Sequence, residues 1–299
     1  MNIGFCGLGR MGAAMVSRLL DQGEKPAIWN RTPERAKPLL ERGAVWARNP
    51  AEIARHSDLM LSILLDEGAV RAVYQGAGGL LSGDIKGKLF VEMSTVSPAL
   101  PQELAAAAKA KGAALLECPV GGTVGPAREG KLLGMAGGNA SDFTRAKPVL
   151  DLLCRKVEHV GANGAGAAMK LAINLPLCIY WEALGEAISL TRDFGIPPAK
   201  MLEIFGESSG GINGLKVRGP AFVKALETGQ RPPVGFTIDG VIKDMKIMLG
   251  WAKGMGVALP VLDRAVDCYA EASQAGWSDQ DNCTVAFHRI AESKAAKRA

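Results

Sequence analysis

Histidine is scarce in this sequence. Its 299 residues include three, His56, His159 and His288, and no two stand at a metal-ligand spacing, so no metal site is expected. Aromatic residues make up 5% of the chain. No stretch interleaves them with lysine and arginine in the basic stripe of a nucleic-acid binder, and no nucleic-acid partner is expected. No uninterrupted apolar run reaches the ~18 residues of a membrane helix, and no charged-then-apolar leader precedes the first apolar strand, so no membrane partner is expected either. The six cysteines (Cys6, Cys118, Cys154, Cys178, Cys268 and Cys283) show no C-x-x-C spacing, and most lie in apolar runs. There a thiol behaves as a small buried hydrophobe. Reduced thiols and a cytoplasmic location are the expectation.

What is present is the composition of a globular protein, 48% hydrophobic and 22% charged, with length for about two domains. The net charge of +5 is modest and scattered, apart from Lys294, Lys297 and Arg298 near the end. That tail reads as a solvated terminus. The remaining surplus suits anionic small ligands.

The strongest local pattern is at the start. An apolar strand from Asn2 to Cys6 runs into Gly7, Leu8, Gly9, Arg10, Met11 and Gly12, and an amphipathic helix follows through Ala13–Leu20. G-x-G-x-x-G between a strand and a helix is the context of a dinucleotide-binding turn. Gly7 permits the tight turn, Gly9 lets backbone approach a pyrophosphate, and Gly12 lets helix pack on strand. The helix N-terminus then presents free N–H groups to phosphate. A ligand-free glycine turn is the competing reading, and the flanking strand and helix weigh against it.

A second strand, Lys25–Trp29, ends at Asn30, Arg31 and Thr32. An acidic residue here would accept from the ribose 2′-OH of NAD. Asn30, Arg31 and Thr32 are instead donors suited to a 2′-phosphate, so NADP(H) is the expected cofactor. Thr32 and Pro33 also read as the N-cap and first residue of a helix over 34–42. Alternation then continues, with strands at 44–47, 59–64, 89–93, 114–118, 132–136 and 156–160 and helices at 50–56, 70–74, 100–110 and 141–153. This predicts an α/β domain, an N-terminal Rossmann-type doubly wound parallel sheet over 1–162. Ligands of such sheets sit at the carboxyl ends of the strands. Those ends carry the glycine turn, Asn30–Thr32, Leu64–Asp66, Ser94–Thr95 and Gly121–Thr123.

From Gly161 to Gly166 the character changes, and 163–299 reads as an all-helical domain. Its expected helices are 167–194, bent at Pro176, then 198–205, 217–227, 237–255, 259–274 and 280–294. Lys170 and Asn174 stand at i and i+4 on the first of these, among apolar and small residues. Pattern alone leaves two readings for Lys170, a side chain that snorkels to water or one held in a cleft.

These segments together resemble the β-hydroxyacid dehydrogenase family, of the 3-hydroxyisobutyrate dehydrogenase and glyoxylate/succinic semialdehyde reductase type, over nearly the whole chain. Gly7–Met15 resembles the cofactor signature, Met93–Pro98 a second segment, Pro119–Leu132 the substrate-binding loop, Gly164–Asn174 the catalytic signature, and Lys243–Met245 a C-terminal lysine-aspartate pair. Asn30, Arg31 and Thr32 resemble the NADP-dependent branch. The resemblance implies that Lys170 is the general acid/base and that Asn174 holds the substrate. A lysine desolvated beside a cationic nicotinamide gives up its proton more readily. Gly121, Gly122 and Thr123 would bind the carboxylate of a small anionic substrate. Leu8, Arg10, Met11, Leu64, Leu65, Ser94, Thr95 and Lys243 would lie along the cofactor, and Ser208–Gly214 would line the cleft from the helical side. A homodimer or homotetramer formed through the helical domain is also implied.

The chain departs from the family at three places. The substrate loop of the family usually reads Pro-Val-Ser-Gly-Gly; Gly121 replaces the serine and Thr123 the second glycine. The sulfolactaldehyde reductase branch also has glycine at the serine position. Asn174 is followed by Leu175 where a second asparagine is frequent, and Leu65 stands where proline is frequent. The expected function is an NADP(H)-dependent oxidoreductase interconverting a small β-hydroxy acid and its semialdehyde or keto acid. The alternatives are an imine reductase, which usually lacks the lysine, and a non-catalytic NADP-binding protein on the same fold.

Overall fold

The computed structural model describes residues 1–295. Of the basic tail, Lys297 and Arg298 lie outside the described residues. The chain packs as two compact units that divide between Ala172 and Ile173.

The first unit begins β1 (Ile3–Cys6), α1 (Arg10–Asp21), β2 (Ala27–Trp29), a 3-10 turn (Pro33–Ala36), α2 (Lys37–Leu40), β3 (Val45–Trp46), α3 (Pro50–His56), β4 (Leu59–Ser62), α4 (Glu67–Gln75), β5 (Leu89–Glu92), α5 (Ala99–Ala110) and β6 (Ala114–Glu117). These six strands form a parallel sheet in the order β3-β2-β1-β4-β5-β6. Both faces are covered, and neighbouring residues of each strand divide between them. Phe5, Leu61, Val91 and Leu116 pack with Met15 and Leu19 of α1. Cys6, Met60, Phe90 and Leu115 pack with Ile53 of α3, Val73 of α4 and Leu104 of α5. Strands buried on both faces read as continuous apolar runs, which is why the periodicity of this half was legible.

Two parts differ from the sequence expectation. The helix expected over 34–42 is split into the 3-10 turn and α2, and Thr32 stands at the N-cap without a side-chain cap bond. The sheet is also not parallel throughout. β7 (Val120–Gly121), α6 (Val124–Glu129), β8 (Leu132–Gly137), α7 (Ala140–Leu153) and β9 (Cys154–Gly161) follow β6. β8 runs antiparallel to β6 and β7 and parallel to β9. The connection from Gly122 to Lys131 is shorter than the crossover of about a dozen residues that a parallel pair needs. It turns back through Gly122, at φ +127°, and Gly130, at φ +69°.

The next helix, α8 (Ala165–Ser189), runs unbroken through Pro176. It ends before Phe194; the chain closes with a bond from the Thr191 amide to the Ile188 carbonyl and a separate 3-10 turn, Arg192–Phe194. By length and composition α8 is apolar enough to cross a membrane, although Lys170 and Glu182 interrupt every long apolar run. Ala167, Leu171, Asn174, Cys178, Trp181, Leu184 and Ile188 form a buried stripe along it. That is the pattern of a core helix.

The second unit adds α9 (Pro198–Glu207), α10 (Asn213–Thr228), α11 (Ile238–Gly254), α12 (Pro260–Ala272) and α13 (Val285–Ala295). Trp181 stacks on Phe222 of α10, and Phe222 stacks on Phe287 of α13 at 4.5 Å. All six cysteines are buried and none forms a disulfide.

The tightest point of the sheet is where α1 leaves β1. A Cβ on Gly12 would stand 1.9 Å from the Gly7 carbonyl oxygen, a backbone atom with no room to yield. Gly12→Ala is expected to destabilise the protein by about 2 kcal/mol or more. Thermal unfolding would read this as a fall of roughly 5 °C; an unchanged Tm would show that the turn relaxes freely.

Candidate active site

The carboxyl ends of the parallel strands carry most of the polar groups singled out in the first unit. Gly7 turns the chain at φ +100°, and a Cβ there would meet the Ile63 carbonyl at 2.2 Å. A Cβ on Gly9 would meet nothing within 4 Å, so the space over Gly9 is open to a ligand. Gly9 is the N-cap of α1, with no side-chain cap and no acidic residue in the first turn. Those first-turn amides and the dipole of α1 favour an anion. A nucleotide pyrophosphate fits this cradle. Asn30 braces it, accepting from the Leu8 amide at 2.9 Å and donating to the Thr32 carbonyl at 2.9 Å. The Gly7 amide bonds the Trp29 carbonyl. Asn30 therefore fixes the glycine turn to the end of β2, while Arg31 and Thr32 are exposed beside it.

A buried chain of hydrogen bonds joins the next two strand ends. Ser94 Oγ accepts from the Leu64 amide at 2.8 Å, and the Ser94 amide donates to Glu92 Oε1 at 2.7 Å. Ser62 Oγ donates to Glu92 Oε2 and also meets the Tyr74 hydroxyl at 2.8 Å. The loops bearing Leu64 and Ser94 are thus tied to one another through Glu92. Burial pushes the Glu92 carboxyl up, against the opposing pull of its hydrogen bonds. Leu65 is exposed, and Asp66 caps α4 by accepting from the Ala69 amide.

Glu117, in register with Glu92 across β5 and β6, ends the next strand. Its Oε1 accepts from the amides of Gly164 and Gly166, at 2.6 and 2.8 Å, where α8 starts. Burial pushes this carboxyl up to about 7, while the amides of Gly166, Gly164 and Ala167 pull it down. Lys170 follows on α8 and is half-buried. Gly121, in β7, lies opposite Leu133 of β8. A Cβ on Gly121 would meet only Leu133, at 3.7 Å, so the missing family serine is not excluded by crowding. Thr123 is the N-cap of α6 without a side-chain cap bond.

In the second unit, Asn174 and Asp244 are buried. The Asn174 amide donates to Asp244 Oδ2 at 3.3 Å, and the Lys243 ammonium pairs with Asp244 Oδ1 at 2.8 Å. One carboxylate therefore orients both an amide and a cation.

Glu92, Glu117 and Asp244 were not expected among the site residues. A signal for the first two exists in retrospect, since both are the last residue of a strand that is otherwise apolar. Asp244 had only its place in the lysine-aspartate pair.

Comparison with known proteins agrees with this architecture over both units. The profile of the NAD-binding domain of 6-phosphogluconate dehydrogenase matches residues 2–161. The NAD-binding profile of NADP-dependent 3-hydroxyisobutyrate dehydrogenase matches residues 164–288. The chain is 32% identical to the chloroplastic glyoxylate/succinic semialdehyde reductase 2 of Arabidopsis thaliana, covering 99% of this chain and 80% of that protein. It is 32% identical to the 3-hydroxyisobutyrate dehydrogenase of Pseudomonas aeruginosa, covering 92% and 93%. The 3-hydroxyisobutyrate dehydrogenase of Mycobacterium tuberculosis, solved with L-serine, superposes with a TM-score of 0.84 at 28% identity, covering 96% and 98%. Matches that run through both units, on a chain with an open anion cradle at α1, make this protein a member of the β-hydroxyacid dehydrogenase family of NAD(P)-dependent oxidoreductases.

Proposed function

We propose that the chain is an NADP(H)-dependent reductase that interconverts a small β-hydroxy acid and its semialdehyde or keto acid. The observation that carries this reading is a half-buried lysine, Lys170, one turn into a helix whose start is bonded to a buried strand end, in a chain that also presents the anion cradle of α1. Bound there, the nicotinamide cofactor supplies or takes up a hydride at its C4. Lys170 donates a proton to the carbonyl oxygen in reduction and takes it back in oxidation. Asn174, oriented by Asp244, holds the substrate by hydrogen bonding. Gly121, Gly122 and Thr123 bind the substrate carboxylate.

The preference for NADP(H) rests on Asn30. Its oxygen is engaged with the Leu8 amide, so no carboxylate stands at the end of β2 to accept from a ribose 2′-OH or to repel a 2′-phosphate. Arg31, exposed beside it, supplies a planar cation of the kind that pairs with phosphate. The description of the second matching profile, which names an NADP-dependent enzyme, supports the same choice.

Steady-state kinetics with both cofactors test that preference. NADPH is expected to exceed NADH in kcat/KM, and Arg31→Ala is expected to reduce the NADPH value about tenfold while leaving NADH nearly unchanged, the loss of one charge-assisted contact. A wild type that prefers NADH refutes it.

A panel of glyoxylate, succinic semialdehyde, tartronate semialdehyde and 3-hydroxyisobutyrate tests the chemistry. At least one is expected to turn over, and Lys170→Ala is expected to lower kcat by about 100-fold or more with a smaller change in KM. Undiminished turnover by that variant sinks the proton-transfer role.

Gly121→Ser probes selectivity. A Cβ at Gly121 makes only ordinary contact, with Leu133 at 3.7 Å, so the stability change is expected to stay within about 0.5 kcal/mol. The ratio of kcat/KM for glyoxylate to that for succinic semialdehyde is expected to shift by about tenfold, because the new hydroxyl meets the two substrates differently. A variant that alters both substrates in equal proportion would place Gly121 away from the substrate.

A further inference from the structure

The start of α8 is held in an unusual way. A helix is ordinarily capped by a Ser, Thr, Asn or Asp immediately before it. Asn163 stands in that region, but its side-chain amide donates to the carbonyls of Leu115 and Gly137, at 3.1 and 3.3 Å. The opening amides at Gly164 and Gly166 are met instead by Glu117, 47 and 49 residues earlier in the chain. The site for that carboxylate is shaped by absent side chains. A Cβ on Gly137 of β8 would fall 2.3 Å from Glu117 Oε1, and a Cβ on Gly166 would fall 3.3 Å from its carboxyl carbon and 2.4 Å from the Met135 carbonyl. The helix start and the ends of β6 and β8 therefore approach as closely as backbone allows. The positive end of the α8 dipole meets the carboxylate.

Lys170 lies one turn beyond Gly166. Its backbone stands on the turn that follows the one Glu117 holds. Any slip or rotation of that turn carries Lys170 with it.

We propose that Glu117 is a positioning residue for catalysis, which sets the placement of Lys170 by anchoring the first amides of α8 to the end of β6. The proposal rests on the reading of Lys170 as the proton-transfer group. Glu117 itself touches backbone and exchanges no proton with substrate. Buried beside Glu92 of β5, it has a raised proton affinity of the kind that marks functional carboxyls.

The full chain carrying Glu117→Ala, Glu117→Asp or Glu117→Gln, with Lys170→Ala as reference, provides the test. Three quantities are read: NADPH-dependent turnover of the panel substrate that the wild type reduces, NADPH affinity by fluorescence titration, and hydrogen exchange of the segment 163–172. The Ala and Asp variants, which lose or shorten the acceptor, are expected to lose kcat by about 10–100-fold, the scale of a small misplacement. Their KM and NADPH affinity are expected to stay within about threefold of wild type, and their amides at 164–167 exchange faster. Glu117→Gln retains an oxygen acceptor and is expected to bring kcat back to within about fivefold. Wild-type kcat in a folded Ala or Asp variant overturns the proposal, as does a parallel loss of NADPH affinity. A Gln variant as inactive as Lys170→Ala also overturns it, because the carboxyl would then act chemically. If the Ala variant does not fold, the contrast between Asp and Gln decides. Full turnover by Lys170→Ala refutes the proton-transfer reading, whereas unchanged exchange at 164–167 refutes the anchoring by Glu117, so the two failures are distinct.

Discussion

Strands buried on both faces have nowhere to put a polar side chain except at their ends. β1, β4, β5 and β6 are in that position, with helices covering each side. An unpaired polar group within them would lose its hydrogen bonds to water without replacement. Ser62, Glu92 and Glu117 accordingly stand as the final residues of β4, β5 and β6, and Asn30 follows the last residue of β2. The same ends carry the open glycine turn. The packing of the sheet therefore decides where the chemistry of this half is possible.

Each of these end groups braces a loop. Asn30 holds the glycine turn, Glu92 ties the Ser94 loop to the Leu64 loop through Ser62 and Ser94, and Glu117 holds the start of α8. Asn30, Ser94, Glu92 and Glu117 each accept from a backbone amide, and Ser62 adds a side-chain bond to Glu92. Preorganisation of this kind is what a hydride-transfer site requires, because proximity and orientation supply much of the rate. In the second unit Asp244 plays an equivalent part for Asn174 and Lys243.

Much of the fold was legible beforehand for a physical reason. Leu59–Ser62 and Leu89–Glu92 are short apolar runs bounded by turn residues, and α3 spans Pro50–His56, the range expected for it. The antiparallel β8 was not legible, since an apolar strand has the same pattern in either direction; the short connection through Gly122 and Gly130 reverses it. The end of α8 was not legible either: Pro176 lies inside the helix as expected, but the helix closes at Ser189 and a separate 3-10 turn carries the chain to Phe194. Among the site residues, the roles implied for Gly7, Gly9 and Gly12 are consistent with the observed turn. Asn30, expected along the cofactor, also bonds the Leu8 amide and the Thr32 carbonyl, a part that no spacing in the chain records.

The sequence by itself determined the alternating α/β half, the helical half, the dinucleotide turn and the family, because periodicity and short motifs are carried by residues within a dozen positions of one another. Only the tertiary structure decided that Glu117 caps a helix 47 residues away and that Asn174 pairs with Asp244 across 70. Such bonds join groups whose local surroundings look ordinary, and no spacing in the chain records them. They exist because a buried polar group must find its partners within the protein, wherever the fold brings them.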